Sequence, residues 1–222
     1  VLIFENKGDA VGVTLHHPHG QIYAFPFIPP IPEKELESSS EYEKATGKCL
    51  LCDVLSQELD DGRRIVAKNS GFVAVVPFYA RYPYEIHVIP RGHKSSLPDL
   101  DSDERRWLAE MLKTVTCGYD DLFGFSFPYM MIMHQAPTSQ GDFGHYHFHV
   151  EFYPPYRTAT KLKYLGGCES GGGTFINDTL PEVTAEKLRV AVRRAFSAGA
   201  LRPNSCAVSG KGGRGDGAGG SR

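Results

Sequence analysis

The chain contains the stretch His145-Tyr146-His147-Phe148-His149-Val150-Glu151-Phe152-Tyr153, in which two kinds of side chain alternate. Every second residue from His145 to Glu151 is polar and able to bind a metal, and the residues between them are apolar or aromatic. Successive side chains of a β-strand point to opposite faces of a sheet, so the pattern predicts a strand with one face against a core. A solvated polar face is the simpler interpretation of the other side. Three histidines are an uncommon way to build one, and we expect a functional face.

A related pattern lies near the amino terminus, in His17-Pro18-His19-Gly20-Gln21. On an extended segment the two histidines and Gln21 project to the same side. One imidazole can then take a metal or a hydrogen bond while the other stays free as a nucleophile. Gly20 lets phosphate oxygens approach the backbone closely, and the amide of Gln21 can donate to a phosphoryl oxygen without titrating. An isolated histidine pair is usually only a strand end, but these neighbours favour chemistry at a phosphate.

The sequence between and around the motifs predicts both strands and helices. Residues 1–28 indicate strand, turn and strand, and prolines then break regular structure before a charged helix or connector. Further strands are predicted at 72–76, 84–89, 130–133 and 145–153. Asp101 looks like a helix N-cap, with Glu104 three residues later in a capping box. The apolar face of that helix is assigned to the core: Trp107, Leu108, Met111, Leu112 and Val115.

Composition limits the function classes without choosing among them. Of the 222 residues, 41% are hydrophobic and 23% are charged, as in ordinary globular proteins. The formal net charge of −2 gives no electrostatic case for nucleic acid or a membrane surface, and no apolar run is long enough for a transmembrane helix. Five cysteines, only two of them closely spaced, favour a metal site in a reducing cytoplasm over a disulfide framework. Because the chain begins at Val1 in a strand-like segment, we expect a fragment.

Phe4-Glu5-Asn6-Lys7-Gly8 followed by the His17–Gln21 motif resembles the active-site region of galactose-1-phosphate uridylyltransferases, a family of the histidine-triad superfamily. The resemblance implies an α+β, histidine-triad-like fold: an antiparallel sheet with helices packed on one face. Members are built from two histidine-triad-like halves. By that resemblance, residues 1–32 end the first half, 33–48 connect, and 49–201 form the second half. Residues 202–222 are mostly glycine and polar, and we expect them to be disordered.

The resemblance also implies roles for the first motif. His19 would be the nucleophile and His17 a zinc ligand, while Asn6, Thr14 and Gln21 would contact phosphates. Hydrolases of the superfamily carry a third histidine at the position of Gln21. An amide can hold a phosphoryl-enzyme intermediate but cannot relay a proton to water, so the intermediate waits for a sugar phosphate. The implied reaction exchanges UMP between UDP-glucose and galactose 1-phosphate through a uridylyl-histidine.

Cys49-Leu50-Leu51-Cys52 predicts half of a zinc site, because two cysteines at this spacing can present both thiolates to one ion. His93, just after a predicted strand, is the third ligand by resemblance to the family. We take His145 as the fourth ligand, with His149 as the alternative. A closed Cys2His2 shell would be structural, and a buried apolar cysteine pair is the competing interpretation. The other cysteines are assigned no role: Cys117, Cys168 and Cys206.

Some family members bind a second ion through a glutamate and three histidines. Glu35, His134 and His149 fall on matching positions, and the remaining position carries Glu151 instead of histidine. Carboxylate and imidazole together suit iron or zinc.

The segment after the last predicted strand resembles the part of the family that reaches the sugar phosphate. Lys163 would pair with phosphate as a point charge, and Glu169 would accept hydrogen bonds from sugar hydroxyls. The resemblance further implies a homodimer with sites shared between subunits.

Three other functions stay open at this stage. An ADP-sugar phosphorylase would use the same motif with an adenine nucleotide. A histidine-triad hydrolase is disfavoured by Gln21. The chain can also be a zinc-stapled half-protein without turnover, if it lacks the early first half and the cysteine pair of that half, as we expect.

Overall fold

The computed structural model describes residues 1–13 and 17–197. The predicted disordered tail at 202–222 lies outside these residues, as does Thr14. The strands within them are β1 (Leu2–Lys7), β2 (Gly20–Tyr23), β3 (Ile65–Lys68), β4 (Phe72–Val75), β5 (Ile86–Pro90), β6 (Tyr129–His134), β7 (His149–Tyr153), β8 (Tyr156–Thr158) and β9 (Lys161–Leu162). The α-helices are α1 (Pro30–Thr46), α2 (Leu50–Asp61), α3 (Ser102–Phe123), α4 (Gly167–Gly172) and α5 (Pro181–Ser197).

Seven strands form one sheet in the order β2-β1-β6-β7-β5-β4-β3, and every neighbouring pair is antiparallel. β8 and β9 make a separate two-stranded sheet. The amino-terminal hairpin of β1 and β2 joins the large sheet through β1, which pairs with β6 from Ile3 opposite Met133 to Lys7 opposite Tyr129. The first motif therefore lies at one edge of the sheet that carries the second motif.

Both faces of the sheet are covered by helices. On one face Phe72 and Ala74 of β4 pack in a core with α3 and α5. On the other face Val73 and Val75 pack against Leu55 of α2. The prediction of helices on one face is correct for α3 and α5 and wrong for α2. The physical reason is that β4 is apolar at every position, so each of its faces needs cover.

The long helix α3 begins and packs as predicted. The side chain of Asp101 accepts a hydrogen bond from the Glu104 amide, and the Glu104 side chain accepts one from the Asp101 amide. The two bonds satisfy backbone donors that the helix itself cannot. The face assigned to the core is buried at Leu108, Met111 and Val115 and partly buried at Trp107 and Leu112.

The predicted connector at 33–48 is mostly helix. α1 starts with Pro30 in its first turn, where a missing amide proton costs nothing, and ends at Gly47 in the left-handed conformation. α2 follows directly, with Cys49 as its N-cap residue. Within the described ranges, none of the helices combines the length and apolarity that crossing a membrane requires.

Candidate functional site

The first motif lies in the connection that leads into β2. Nδ1 of His19 is 2.8 Å from the backbone carbonyl oxygen of His17. A carbonyl oxygen only accepts hydrogen bonds, so Nδ1 carries the proton and Nε2 of the neutral ring keeps its lone pair. The side chain of His19 is exposed. The arrangement presents a nitrogen lone pair with a fixed tautomer to the surface of the molecule.

A cleft of about 280 Å³ adjoins this imidazole. Asn6, His17 and His19 line it together with residues of α3 and Tyr129. Lys7 donates to Asp120 of α3 at 2.9 Å, which ties β1 to that helix. The structure therefore brings together Asn6 and both histidines of the motif. Gln21 lies in β2 opposite Phe4 and does not line this cleft.

The two closely spaced cysteines meet two histidines. Sγ of Cys49 is 3.5 Å and Sγ of Cys52 is 3.3 Å from Nδ1 of His147, and Sγ of Cys52 is 3.6 Å from Nδ1 of His93. The four possible ligand atoms all lie within 4.8 Å of one another. Tetrahedral zinc with ordinary Zn–S and Zn–N bonds places sulfur and nitrogen about 3.6 Å apart. The residues therefore fit a zinc ion.

The outer nitrogens of the same imidazoles support this fit. Nε2 of His93 is 2.8 Å from the Gly144 carbonyl oxygen, and Nε2 of His147 is 3.3 Å from the Pro90 carbonyl oxygen. Both rings must donate from Nε2, which leaves the Nδ1 lone pairs directed at the sulfurs, as histidine ligands require. Burial, helped by nearby His93 and His149, lowers the pKa of His147 to about 3. Burial and the neighbouring Cys49 raise the pKa of the Cys52 thiol to about 12 without a cation.

The choice of His145 as the fourth ligand is corrected by this geometry, as is the alternative of His149. The strand begins at His149 rather than at His145, because residues 143–146 form a turn closed by the Tyr146 amide on the Phe143 carbonyl. The amide of Phe148 then bonds to the Lys94 carbonyl, which holds this segment against the loop that carries His93. The alternating pattern places His147 on the polar face but does not single it out as a ligand, since period-two alternation cannot show where a strand starts.

A second cluster joins Glu35 of α1, His134 of β6, and His149 and Glu151 of β7. Nδ1 of His134 is 2.8 Å from Glu35, and its Nε2 is 3.2 Å from Glu151. Nε2 of His149 is 3.4 Å from Glu151. Nε2 of His134 is buried and has no hydrogen-bond partner. A buried, unpaired nitrogen that faces the buried carboxylate of Glu151 fits a cation, so the residues also suit a second metal.

The charges of this cluster support one another. Burial alone would lower the pKa of His149, but Glu151 and Glu35 outweigh it and raise that pKa to about 9. Burial alone would raise the pKa of Glu151, but His87, His134 and His149 outweigh it and hold the pKa well below its usual range. No sequence motif marks His87. Its position opposite Glu151 becomes visible only once β5 and β7 are paired.

Lys163 and Glu169 bind each other. Nζ of Lys163 donates to Glu169 at 2.5 Å and to the Ile176 carbonyl at 2.6 Å, and both side chains are buried. The hydrogen bonds from Lys163 and from the amides of Gly166 and Ile176 lower the pKa of Glu169 to about 2. Neither residue lines the cleft beside His19.

Comparison with known proteins agrees with this structure. Residues 35–201 match the family model described as galactose-1-phosphate uridyl transferase, C-terminal domain, and residues 1–29 match the N-terminal domain model. The galactose-1-phosphate uridylyltransferase of Thermotoga maritima is 46% identical over 85% of this chain and 59% of its own length. That of Haemophilus influenzae is 40% identical over 85% of this chain and 54% of its own length. The chain thus spans rather more than half the length of these relatives.

Solved structures give the same relationship. One described as a uridylyltransferase has a TM-score of 0.82 and 41% identity, over 87% of this chain and 60% of that one. An ADP-glucose phosphorylase from Arabidopsis thaliana, solved with bound ADP-glucose, has a TM-score of 0.73 and 29% identity, over 85% of this chain and 58% of that one. The seven-stranded antiparallel sheet and its packed helices define an α+β protein with the fold of the solved uridylyltransferase. Within that class, the chain belongs to the galactose-1-phosphate uridyl transferase family.

Proposed function

We propose that the chain is part of a nucleotidyltransferase that exchanges UMP between UDP-glucose and galactose 1-phosphate through a covalent uridylyl-His19. The observation that carries the proposal is the 2.8 Å contact from Nδ1 of His19 to the carbonyl of His17. It leaves Nε2 as the nucleophile, which is the role that the family resemblance gives this residue.

The reaction proceeds in two displacements. Nε2 of His19 attacks the α-phosphorus of UDP-glucose, and the bond to the bridging oxygen breaks. Glucose 1-phosphate leaves with that electron pair. A phosphate oxygen of galactose 1-phosphate then attacks the uridylyl phosphorus and returns the electron pair to Nε2. Phosphoryl transfer depends mainly on positioning and charge stabilisation, which we assign to Asn6, Gln21 and Thr14.

We assign Lys163 and Glu169 to the sugar phosphate. The ammonium group of Lys163 would replace its hydrogen bond to Glu169 with one to a phosphate oxygen. Glu169 would stay anchored by the amides of Gly166 and Ile176 while it accepts sugar hydroxyl groups. We also propose that the protein is a homodimer whose subunits share sites, and that it is cytoplasmic.

Both metal sites are proposed as structural. Zinc would be held by Cys49, Cys52, His93 and His147, and iron or zinc by Glu35, His134, His149 and Glu151. A zinc ion in the first site would tie the start of α2 to the loops flanking β5 and β7. Within residues 1–13 and 17–197, His17 joins neither ligand group, so its assignment to zinc rests on the resemblance alone.

The intact mass after incubation with UDP-glucose, and separately with ADP-glucose, tests the function. We expect a uridylyl adduct that maps to His19, is absent from His19→Ala and is retained in the matched variant His145→Gln. An adduct in His19→Ala would refute the mechanism. Rapid release of free UMP would instead indicate a hydrolase.

The second candidate is an ADP-sugar phosphorylase, favoured by the similarity to the Arabidopsis enzyme. An adenylyl adduct on His19, without a uridylyl adduct, would select it. No adduct from either nucleotide sugar would reduce the function of this chain to metal binding.

A further inference from the structure

Glu151 is held on two sides at once. Its side chain is 2% exposed in the middle of β7. Oε1 is 3.4 Å from Nε2 of His149 and 3.1 Å from Nε2 of His87, while Oε2 is 3.2 Å from Nε2 of His134 and 3.2 Å from Nη2 of Arg81. Each oxygen therefore has two neighbours. The inner one is an imidazole that could bind the metal, from His149 or His134. The outer one is a hydrogen-bond donor, from His87 or Arg81.

The two outer donors are themselves fixed. Nε2 of His87 is also 2.9 Å from Glu85, whose other oxygen accepts the backbone amides of Arg81 and Tyr82 at 2.7 and 2.9 Å. Nη2 of Arg81 donates to the hydroxyl of Tyr153 at 2.6 Å, and its guanidinium lies 5.0 Å from the centre of the Tyr153 ring. Glu85 is fully buried. His87 is thus linked through Glu85 to two backbone amides, and the Arg81 guanidinium is held by the Tyr153 side chain.

A carboxylate ligand needs such support more than an imidazole does. Its two oxygens can rotate out of line, and a buried negative charge without donors is costly. A histidine here, as the resemblance implies for the family, would carry no charge to offset. In this chain the carboxylate is paired with His87 directly across the sheet.

We propose that His87 and Arg81 are positioning residues that hold Glu151 in the geometry of a metal ligand, and that they allow a carboxylate to replace a histidine at this site. The inference rests on the second metal site proposed above.

The test is an anaerobic titration of the full, zinc-containing chain with Fe2+ against a competing chelator, with bound metals counted by mass spectrometry. Wild type should bind one Fe2+ beyond its zinc. His87→Gln and Arg81→Gln should weaken Fe2+ binding by about 10- to 100-fold. Zinc at the cysteine cluster should stay stoichiometric in each variant, which shows that the fold is intact.

Glu151→His separates positioning from general support of the structure. In that background there is no carboxylate to hold, so adding His87→Gln or Arg81→Gln should change the Fe2+ affinity by no more than about twofold. Equal losses in both backgrounds would overturn the proposal, as would wild-type affinity in the single variants. Failure of wild type to bind a cation beyond zinc would also overturn it. That failure would leave the transferase proposal untouched, because the mass of the nucleotidyl adduct reports on His19 independently.

Discussion

Replacing His147 by glutamine should release zinc from the cysteine cluster, whereas replacing His145 should not. Nδ1 of His147 is the atom that approaches both sulfurs, at 3.5 and 3.3 Å. His145 lies two residues earlier in a turn and belongs to neither group of possible ligands. The two histidines share a residue type and a sequence neighbourhood, so each variant is a matched control for the other.

The size of the effect follows from the four-ligand geometry. A structural zinc site contributes about 10 to 16 kcal/mol, or about 2.5 to 4 kcal/mol for each of four ligands. Losing one ligand should weaken zinc binding by roughly 100- to 1000-fold. With zinc in excess over both dissociation constants, the unfolding free energy falls by the same amount. For a chain of this size the melting temperature should drop by roughly 5 to 15 °C.

Zinc competition with a chromophoric chelator gives the affinity, and thermal unfolding with and without added zinc gives the stability. His147→Gln should melt early and respond weakly to zinc, while His145→Gln should follow wild type in both measurements. Zinc lost from His145→Gln and retained by His147→Gln would refute the assignment drawn from the structure.

Three further outcomes are expected. After chelation, stability should be greatest near pH 6.5. It should fall on acidification because the unfolded chain binds the proton that buried His147, with a pKa of about 3, excludes. Stability should also fall as pH rises from 6.5 through 9, because His149, with a raised pKa of about 9, then loses the proton that stabilises the fold. The midpoints of urea unfolding, measured across this pH range, test both the acid and the alkaline decrease. Leu188→Ala should lower the free energy of unfolding, measured in urea, by about 2 to 5 kcal/mol. The reason is that the Leu188 side chain of α5 is 1% exposed and packs in the main hydrophobic core. Gly118→Ala should lower the free energy of unfolding by about 1 to 3 kcal/mol, since a Cβ there would lie 2.5 Å from Cγ2 of Val192. Adding Val192→Ala removes that contact and should restore most of the loss. A double variant without such recovery would contradict the close approach of the two helices.

Local signals predicted much of the fold. The capping box at Asp101 predicted where α3 begins, and the apolar run at 72–76 predicted β4. That same run is buried on both sides, which the sequence-based prediction of one helical face did not use. Strand pairing was harder, because the residues that meet across β5 and β7 are far apart in the chain. His87 therefore could not be connected to Glu151 from spacing alone.

The sequence also does not distinguish the zinc ligand among the histidines of the second motif. Three histidines at positions 145, 147 and 149 are equivalent in a strictly alternating pattern, and only the turn at 143–146 distinguishes them. That turn ends before His147, which places His147 beside the cysteines and His149 beside His134. The pattern predicts a functional face, and only the tertiary contacts distinguish the surroundings of its three histidines.

The two histidine motifs share one local geometry and differ in what surrounds it. Nδ1 of His19 is 2.8 Å from the carbonyl of His17, and Nδ1 of His149 is 2.9 Å from the carbonyl of His147. Each contact turns Nε2 away from the backbone, and in the second motif Nε2 of His149 lies 3.4 Å from Oε1 of Glu151. Two residues further along, the first motif has the neutral amide of Gln21 and the second has the carboxylate of Glu151. An anion beside Nε2 attracts a cation and would repel a nucleotide phosphate, whereas an amide can donate to phosphate oxygens. The same tethered imidazole is therefore suited to attack phosphorus in one motif and to hold a metal in the other.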